Sequence, residues 1–391
     1  MLRSSKIIYS NSHFKKKINF TPLSSQRNYH NHQPPLGNEE IPHKPYGGRH
    51  IVTMLPGGGI GPELMNYVED VVKFVNAPID FEKCEIKDGP TLDEDLRNAI
   101  ISIKRNGVGI KGTIEPNLNS LNFKNPNVEI RNKLDLFVNL TVCKSYPGIT
   151  AKYKNVDVVV VRQNTEGEYA MLEHECRKGV IESLKIITQK NTMRVAKFAF
   201  DFATRFRRRK ITVVHKANIM KLSDGLFLKT VKEVSKSYPH IKCNDIIVDA
   251  TTMKIVSNPY DFDMLIMPNL YGTIINNVIC GITGGAGLTS GSNYGSKYAI
   301  FEPACRTLGK TLQNKNIANP VAMLNATVSL LYHLKRDIYA RIISEAIYKT
   351  ICIDNQRTMD IGGDLHTSDM IDYLKENISL LYCEKYAGYQ K

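Results

Sequence analysis

Short apolar runs alternate with helical patterns along most of this chain, and this alternation limits the possible folds more than any other feature. The first unit is the clearest. HIVTML predicts a buried strand, PGGGIGPEL predicts a glycine-rich turn, and Pro62 stands where a first helical residue would, ahead of an amphipathic helix at about 63–75. Further strands are predicted at 108–110, 156–161, 211–214, 246–248 and 264–267, with helices at 191–209 and 224–234. Alternating strands and helices predict an α/β fold in which helices cover a sheet.

A glycine-rich stretch, GITGGAGLTSGSNYG at 281–295, gives the strongest signal of a boundary. It is too apolar and too rich in glycine for a regular element, so we expect a loop that joins two parts of the fold. The chain has 391 residues, of which 42% are hydrophobic, and is therefore long enough for two domains with sizeable cores.

Composition argues against several classes of protein. No apolar run approaches the roughly 20 residues of a membrane-spanning helix, since even VDVVVV is followed at once by Arg162. We therefore expect no membrane partner. The eight cysteines are scattered, with no CxxC pair and no histidine spaced for zinc, which predicts reduced and mostly buried thiols.

The N-terminal segment 1–38 has the composition of a mitochondrial transit peptide. It is rich in serine and asparagine, has no acid before Glu39, and carries six of the positive charges: Arg3, Lys6, Lys15, Lys16, Lys17 and Arg27. Without them the net charge of +14 falls to +8 (14 − 6). The segment predicts a location in the mitochondrial matrix; a basic tail that stays attached is the alternative.

Charged side chains follow three of the predicted strands. Arg162 ends one strand and is followed by a polar turn with Tyr169, Lys216 ends another, and Asp249 ends a third. Strand ends of this kind are where open α/β sheets bind ligands. An arginine there can bind a carboxylate, a tyrosine or lysine can transfer a proton, and an aspartate can bind a metal. The alternatives are a structural ion pair for Arg162, a solvated Lys216, and an Asp249 without the further acids that a divalent ion needs.

The glycines of PGGGIGPEL allow two interpretations. Gly57, Gly58, Gly59 and Gly61 could bring backbone amides close to a phosphate at a helix N-terminus. Their spacing is not G-x-G-x-x-G and no acid stands where a ribose partner would be, so a simple tight turn explains them at least as well.

The helical segment MPNLYGTIINNV holds polar residues at a spacing typical of a metal site. Thr273 and Asn277 are four apart, so they share one helix face about a turn apart. Two carboxylates at that spacing would suit a divalent ion. A hydroxyl and an amide stand there instead.

The motifs PGGGIGPE, VRQNTEGEY, HKANIMK, MPNLYG and NIANP occur in this order within residues 49–377. Together they resemble the isocitrate and isopropylmalate dehydrogenases, a family of metal-dependent β-decarboxylating enzymes. The form NTEGEY favours isocitrate, and the pattern is most similar to the γ-type regulatory branch. The resemblance implies two α/β domains with a central cleft, different from the Rossmann fold: a large domain of 49–136 plus 284–391, and a small domain of 137–283 with a dimer interface.

The resemblance also implies what this chain lacks. Family members oxidise a hydroxyl with NAD and use Mg2+ or Mn2+ held by carboxylates, two of which correspond to Thr273 and Asn277. Of three substrate arginines, Arg131 and Arg162 match, while the third position is Thr141. The histidine-containing segment that holds the cofactor's adenine has no counterpart in ACRTLGKTLQNK. We therefore expect this chain to be inactive alone.

The retained residues imply a regulatory role. In the family, the counterparts of Lys216 and Asp249 cross the dimer interface, so this chain could donate both to a catalytic partner in a hetero-oligomer. The pocket of Arg131, Arg162 and Tyr169 is expected to bind a polycarboxylate such as citrate, with ADP near Asn319. The γ-type pattern is altered at three positions, where Pro116, Thr307 and Leu308 stand.

Three alternatives remain. An active homodimeric dehydrogenase would require carboxylates at 273 and 277, and a β-type subunit is disfavoured by the NKNIANP stretch after Glu302. The run RFRRRK at 205–210 could indicate an RNA- or membrane-binding protein. It ends an amphipathic helix, where cations complement the negative end of the helix dipole, and Phe206 is its one aromatic residue, so we expect no nucleic-acid partner.

Overall fold

The computed structural model describes residues 47–86, 91–115 and 125–383. The predicted transit peptide at 1–38 and Pro116 lie outside these residues. The described strands are β1 His50–Leu55, β2 Ile79–Lys83, β3 Val108–Lys111, β4 Val138–Lys144, β5 Asp157–Gln163, β6 Glu173–Arg177, β7 Val180–Ser183, β8 Lys210–His215, β9 Lys242–Ile247, β10 Met264–Met267, β11 Ser290–Tyr294 and β12 Ala299–Pro303. The described α-helices are α1 Gly61–Phe74, α2 Leu92–Asn106, α3 Pro126–Lys133, α4 Gln189–Arg205, α5 Ser223–Ser235, α6 Val248–Ser257, α7 Asn269–Thr283, α8 Val321–His333, α9 Asp337–Tyr348 and α10 Thr367–Leu381.

One large mixed sheet organises the fold, in the order β2-β1-β3-β12-β11-β4-β5-β10-β8-β9. Its outer pairs are parallel, whereas β11 runs antiparallel to both β12 and β4, and β4 runs antiparallel to β5. The strands of the predicted large and small domains occupy opposite halves of the sheet, and the pairing of β11 with β4 joins them. The antiparallel centre distinguishes this sheet from a Rossmann sheet.

The central strands are buried because helices cover the sheet. All four residues of β10 and most of β5 are buried, as expected for strands whose side chains meet helices on both faces. The α8 helix is buried along almost its whole length and packs on β12, α1 and α9. A separate antiparallel ribbon of β6 and β7 is exposed along its length.

The loop predicted at 281–295 is largely wrong. The α7 helix continues to Thr283, where Gly284 ends it with a φ of +125°. Residues 290–294 form β11, which pairs on both sides near the middle of the sheet. Its small polar residues have little strand preference of their own, so partners distant in sequence decide the conformation. Only the connection between α7 and β11 remains irregular.

The other sequence-predicted elements differ at their ends. The 246–248 strand ends at Ile247, where Val248 begins α6, and the 191–209 helix ends at Arg205. Part of the basic run at 205–210 is structural, because the Arg208 side chain is only 9% exposed and pairs with Asp157 at 2.6 Å and Asp263 at 2.9 Å.

Across the described part of the chain, no helix is both long and apolar enough to cross a bilayer. The eight cysteines are free; three are buried, three half-buried and two exposed, so the prediction of mostly buried thiols holds only if partial burial is included.

Candidate functional site

Two buried arginines converge on one tyrosine ring. Arg131 lies on α3, whose N-terminus is capped by Asn125, and Arg162 is the penultimate residue of β5; each is 4% exposed. The guanidinium carbons lie 5.8 Å (Arg131) and 5.0 Å (Arg162) from the centroid of the Tyr169 ring, which belongs to the turn after β5. The structure therefore brings together the three residues that the sequence assigns to a carboxylate pocket.

Neutral groups hold these arginines in place. Arg131 donates from Nε to the Asn127 carbonyl at 2.9 Å and from its guanidinium to Asn164 Oδ1 at 3.0 Å. Arg162 donates from Nε to Asn269 Oδ1 at 2.8 Å, and one of its terminal nitrogens is buried without a hydrogen-bond partner. A buried guanidinium nitrogen without an acceptor is costly, and a carboxylate ligand would supply the acceptor.

Three further charged residues lie beside the two arginines: Lys111, Glu302 and Arg306. We call these five residues, Arg131 and Arg162 included, the basic cluster. The Lys111 ammonium lies 2.7 Å from Glu302 Oε2, and both side chains are buried. Arg306 reaches Glu302 Oε1 at 3.1 Å. Four cations therefore share a single carboxylate within this cluster, and the excess positive charge favours an anionic ligand.

The pKa values of the cluster reflect this excess. Burial and the charge of Arg306 lower the pKa of Arg162 to about 9 and lower the pKa of Arg131 as well. Burial also lowers the pKa of Lys111, although Glu302 opposes the shift. Burial would raise the pKa of Glu302, but the attraction of Lys111 and Arg306 outweighs it and holds that pKa well below its ordinary value. A bound anion would relieve the repulsion among the cations.

The sequence analysis did not identify Lys111, Glu302 or Arg306 as site residues. A signal existed for Lys111, since it directly follows the strand predicted at 108–110 and so meets the strand-end criterion that identified Arg162. Arg306 follows β12 in a segment without a recognisable local pattern. Its place beside Arg131 depends on β12 pairing with β3, which local sequence cannot show.

The lost positions do not form a metal site in this chain. Thr273 Oγ1 lies 3.1 Å from the Tyr169 hydroxyl, Asn277 is exposed on the same helix, and the Thr141 hydroxyl is buried without a hydrogen-bond partner. Within residues 47–86, 91–115 and 125–383, no group of three or more histidine, cysteine, aspartate or glutamate side chains could hold a metal ion. The residues present therefore do not fit a bound Mg2+ or Mn2+.

Lys216 and Asp249 form a pair of their own. Lys216 follows β8 and Asp249 lies in the first turn of α6, with Nζ and Oδ1 2.7 Å apart. Their side chains are 27% and 59% exposed. The hydrogen bond from Lys216 lowers the pKa of Asp249. The structure brings these two residues together, but no hydrogen bond or ion pair in the described part of the chain joins them directly to the basic cluster.

A cavity of about 320 Å³ lies beside the glycine-rich turn and is also lined by Asn319 and Asp360. The Asn319 amide is already engaged: Oδ1 accepts from the Val321 backbone at 2.9 Å, and Nδ2 donates to Asp360 Oδ2 at 2.9 Å. Asp360 is engaged as well, since its Oδ2 accepts from Asn319 and its Oδ1 accepts from the Thr358 hydroxyl at 2.5 Å.

The glycine-rich turn is held by the chain itself. The Gly58 amide donates to the Thr113 carbonyl and the Ile60 amide donates to the Leu308 carbonyl, each at 2.9 Å. Gly59 has a φ of +58°, and a Cβ there would lie 1.9 Å from the Leu308 oxygen. Because these amides are used internally, the structure favours the tight-turn interpretation over a phosphate cradle.

A sequence model of isocitrate/isopropylmalate dehydrogenases matches residues 51–374 of this chain. The chain belongs to that family. For the family as a whole, membership implies NAD and a divalent metal ion. A solved relative, isocitrate dehydrogenase from Methylococcus capsulatus, is 34% identical with a TM-score of 0.79, over 84% of this chain and 99% of the relative.

Two eukaryotic relatives are more similar in sequence. The mitochondrial NAD isocitrate dehydrogenase subunit gamma of Macaca fascicularis is 49% identical over 341 residues, which are 87% of this chain and 96% of that protein. The mitochondrial subunit beta of Bos taurus is 45% identical over 327 residues, 83% of this chain and 85% of the relative. These names describe subunits of a hetero-oligomeric dehydrogenase. Family membership supports the expected fold.

Proposed function

We propose that this chain is a regulatory, non-catalytic subunit of a mitochondrial NAD-dependent isocitrate dehydrogenase, the enzyme that converts isocitrate and NAD to 2-oxoglutarate, CO2 and NADH. The observation that carries the proposal is the replacement of two metal-binding acids by Thr273 and Asn277. A hydroxyl bound to Tyr169 and an exposed amide are poor ligands for Mg2+, which prefers hard anionic oxygens. NAD and the metal ion would be held mainly by a catalytic partner.

Lys216 and Asp249 are this chain's contribution to that partner's site. They form a pair of side chains that remain partly exposed, so a neighbouring subunit could reach both. Within a completed site, the Lys216 ammonium would transfer a proton at Nζ, and Asp249 would supply an anionic oxygen. Assembly with the catalytic partner is thus required, because only there do the partner's metal-binding acids come close to Lys216 of this chain.

The basic cluster is the regulatory pocket. Its excess of buried cations and the unpaired nitrogen of Arg162 suit a polycarboxylate such as citrate. An ADP-type nucleotide would occupy the neighbouring cavity, where Asp360 and Asn319 stand at the wall. Activation is then a coupling free energy between this pocket and the partner's catalytic site.

Two features favour a γ-type over a β-type subunit. One is the NKNIANP segment, and the other is the higher sequence identity to the gamma subunit of Macaca fascicularis than to the beta subunit of Bos taurus, 49% against 45%. An active dehydrogenase is disfavoured by Thr273 and Asn277. An RNA-binding role is disfavoured because Arg208 of the basic run is already paired with Asp157 and Asp263.

The test measures NADH formation from isocitrate, NAD and Mg2+ by three preparations: the chain alone, the chain with a catalytic subunit that carries the metal-binding acids, and that pair with Lys216→Ala in this chain. We expect the chain alone to be silent, the pair to be active, and the variant pair to lose about 10²- to 10⁴-fold in kcat, the usual contribution of a general acid or base. Turnover by the chain alone would contradict the proposal, and full activity of the variant pair would contradict the donation of Lys216.

A further inference from the structure

A buried carboxylate holds the backbone from which Lys216 projects. Asp224 lies in the first turn of α5 and is completely buried. Its Oδ2 accepts a hydrogen bond from the Lys216 backbone amide at 2.7 Å and another from the Tyr271 hydroxyl at 3.1 Å. Because Asp224 has no exposed surface, it is not placed to contact a substrate.

The charge of Asp224 is balanced by a partly buried lysine. The Lys185 ammonium lies 2.9 Å from Asp224 Oδ1 and 3.3 Å from Glu168 Oε1. Burial acts to lower the pKa of Lys185, but its bonds to Asp224 and Glu168 outweigh this and raise that pKa. The ion pair with Lys185 supplies the cation that a buried carboxylate needs, and hydrogen bonds to a carboxylate are among the stronger ones that a backbone amide can make.

The backbone of Lys216 is held on its other side as well. Its carbonyl accepts from the amides of Ile219 at 3.0 Å and Met220 at 2.9 Å. The next amide, of Ala217, donates to His215 Nδ1 at 3.0 Å. Since Asp224 binds the Lys216 amide, both backbone polar groups of Lys216 are hydrogen-bonded. The position of its Cα is therefore fixed, while Nζ remains partly exposed beside Asp249.

We propose that Asp224 is a positioning residue for Lys216, an inference that rests on the proposed donation of Lys216 to a catalytic partner. The donated ammonium must reach the partner's site from this chain's backbone, and a displacement of about 1 Å can cost as much as 100-fold in rate. Asp224 limits that displacement by anchoring the amide at the base of the side chain. Its effect on catalysis is therefore exerted entirely through Lys216.

The test is a double-mutant cycle in the co-expressed pair, with Asp224→Asn, Lys216→Ala and both together in this chain. We expect Asp224→Asn to lower kcat about tenfold or more with little change in KM for isocitrate. In the Lys216→Ala background the same change should have no further effect, because the group that Asp224 positions is absent. Tyr271→Phe is the matched control, since it removes the other donor to Oδ2 and keeps the bond to Lys216; we expect its kcat to be unchanged.

Each other outcome has a definite meaning. An equal loss from Asp224→Asn in both backgrounds would show an effect on the fold or on assembly and would overturn the proposal. An unchanged kcat for Asp224→Asn, with Lys216→Ala impaired, would overturn the positioning role alone. Full activity of Lys216→Ala would overturn the donation and the positioning role with it.

A second measurement does not depend on how well a variant folds. Hydrogen exchange of the wild-type pair should show slow exchange of the Lys216 amide, because that amide is bound to a buried acceptor. Exchange at the rate of an open loop would overturn the proposal. Where Asp224→Asn assembles, its exchange at this amide should be faster than in the wild-type pair or in Tyr271→Phe.

Discussion

The basic cluster and the Lys216–Asp249 pair both gather charge at the ends of sheet strands, but they meet solvent differently. The cluster is largely buried and has more cations than its one carboxylate can balance, so a small anion would suit its excess positive charge. The pair is balanced within itself and its side chains remain partly exposed. One region is therefore suited to a small ligand and the other to a protein surface.

The same difference explains why each region tolerates the loss of the metal site. Under the proposed function, the arginines of the cluster bind a ligand without taking part in catalysis. The pair keeps its lysine and aspartate because their proposed role lies in another subunit. Thr273 belongs to neither region. Its hydroxyl is hydrogen-bonded to the Tyr169 hydroxyl at the edge of the cluster, and it is a poor ligand for a metal ion.

The largest effect is expected for the single acid of the basic cluster, Glu302, on whose charge the stability of the buried cations depends. Glu302→Gln removes the charge that compensates buried Lys111 and should reduce the free energy of unfolding by about 3–5 kcal/mol, the cost of breaking a buried ion pair. Urea denaturation of the isolated chain would measure this loss. The control is Glu376→Gln, at an exposed position on α10, and a loss of the same size there would contradict the assignment.

The ionisation of Glu302 also predicts a pH dependence. Its pKa in the folded chain lies well below its ordinary value of 4.5, so the stabilisation is fully present above about pH 4.5 and is lost as the pH falls through the lower, folded-state pKa. Denaturation curves of wild type and Glu302→Gln should therefore converge below pH 4.5. A stability difference that stays constant through this range would contradict the assigned charge state.

The next effect tests whether an anion completes the cluster. Arg162→Met removes the guanidinium whose terminal nitrogen lacks a partner, and citrate should bind the variant more weakly by about 1.5–3 kcal/mol, roughly 10- to 150-fold in Kd. Titration calorimetry of the isolated chain would measure this change. Arg341→Met, at an exposed position on α9, is the matched control. Equal citrate affinity in wild type and Arg162→Met would exclude the cluster as the citrate site.

A smaller effect is expected from restoring acids to α7. Thr273→Asp with Asn277→Asp places two carboxylates one turn apart and should increase Mn2+ affinity more than about tenfold over wild type, because ligand charge governs the affinity of such sites. Electron paramagnetic resonance of free Mn2+ would measure binding without any turnover. Asn277→Asp alone is the control. If the double variant binds Mn2+ no better than the control, these positions do not explain the lost metal site.

The sequence was informative wherever neighbours along the chain determine the outcome. The strand at 264–267 was predicted correctly, and the helix after the glycine-rich turn was predicted to within two residues, since α1 begins at Gly61 and Pro62 is its second residue. Arg162 and Lys216 lie within one residue of the ends of β5 and β8, close to the strand ends predicted for them. Prediction was poor where distant pairing decides. β11 is a strand only because it pairs with β4 and β12. Arg306 is close enough to lower the pKa of Arg131 only because β12, which it follows, lies beside β3. The resemblance to a family predicts that Thr273 and Asn277 replace acids, whereas the hydrogen bond from the Lys216 amide to Asp224 became visible only in three dimensions.

The smallest expected effect on stability comes from the exposed pair and completes the comparison with the cluster. Asp249→Asn breaks an ion pair that solvent already screens, so the unfolding stability of the isolated chain should not change measurably, in contrast to Glu302→Gln. The NADH-forming rate of the co-expressed pair should nevertheless fall, because the partner's site would lose an anionic oxygen. Asp372→Asn, an exposed aspartate on α10, should change neither quantity. If Asp249→Asn destabilises the isolated chain as much as Glu302→Gln does, the pair is part of the fold and its exposure does not indicate a role in a neighbouring subunit.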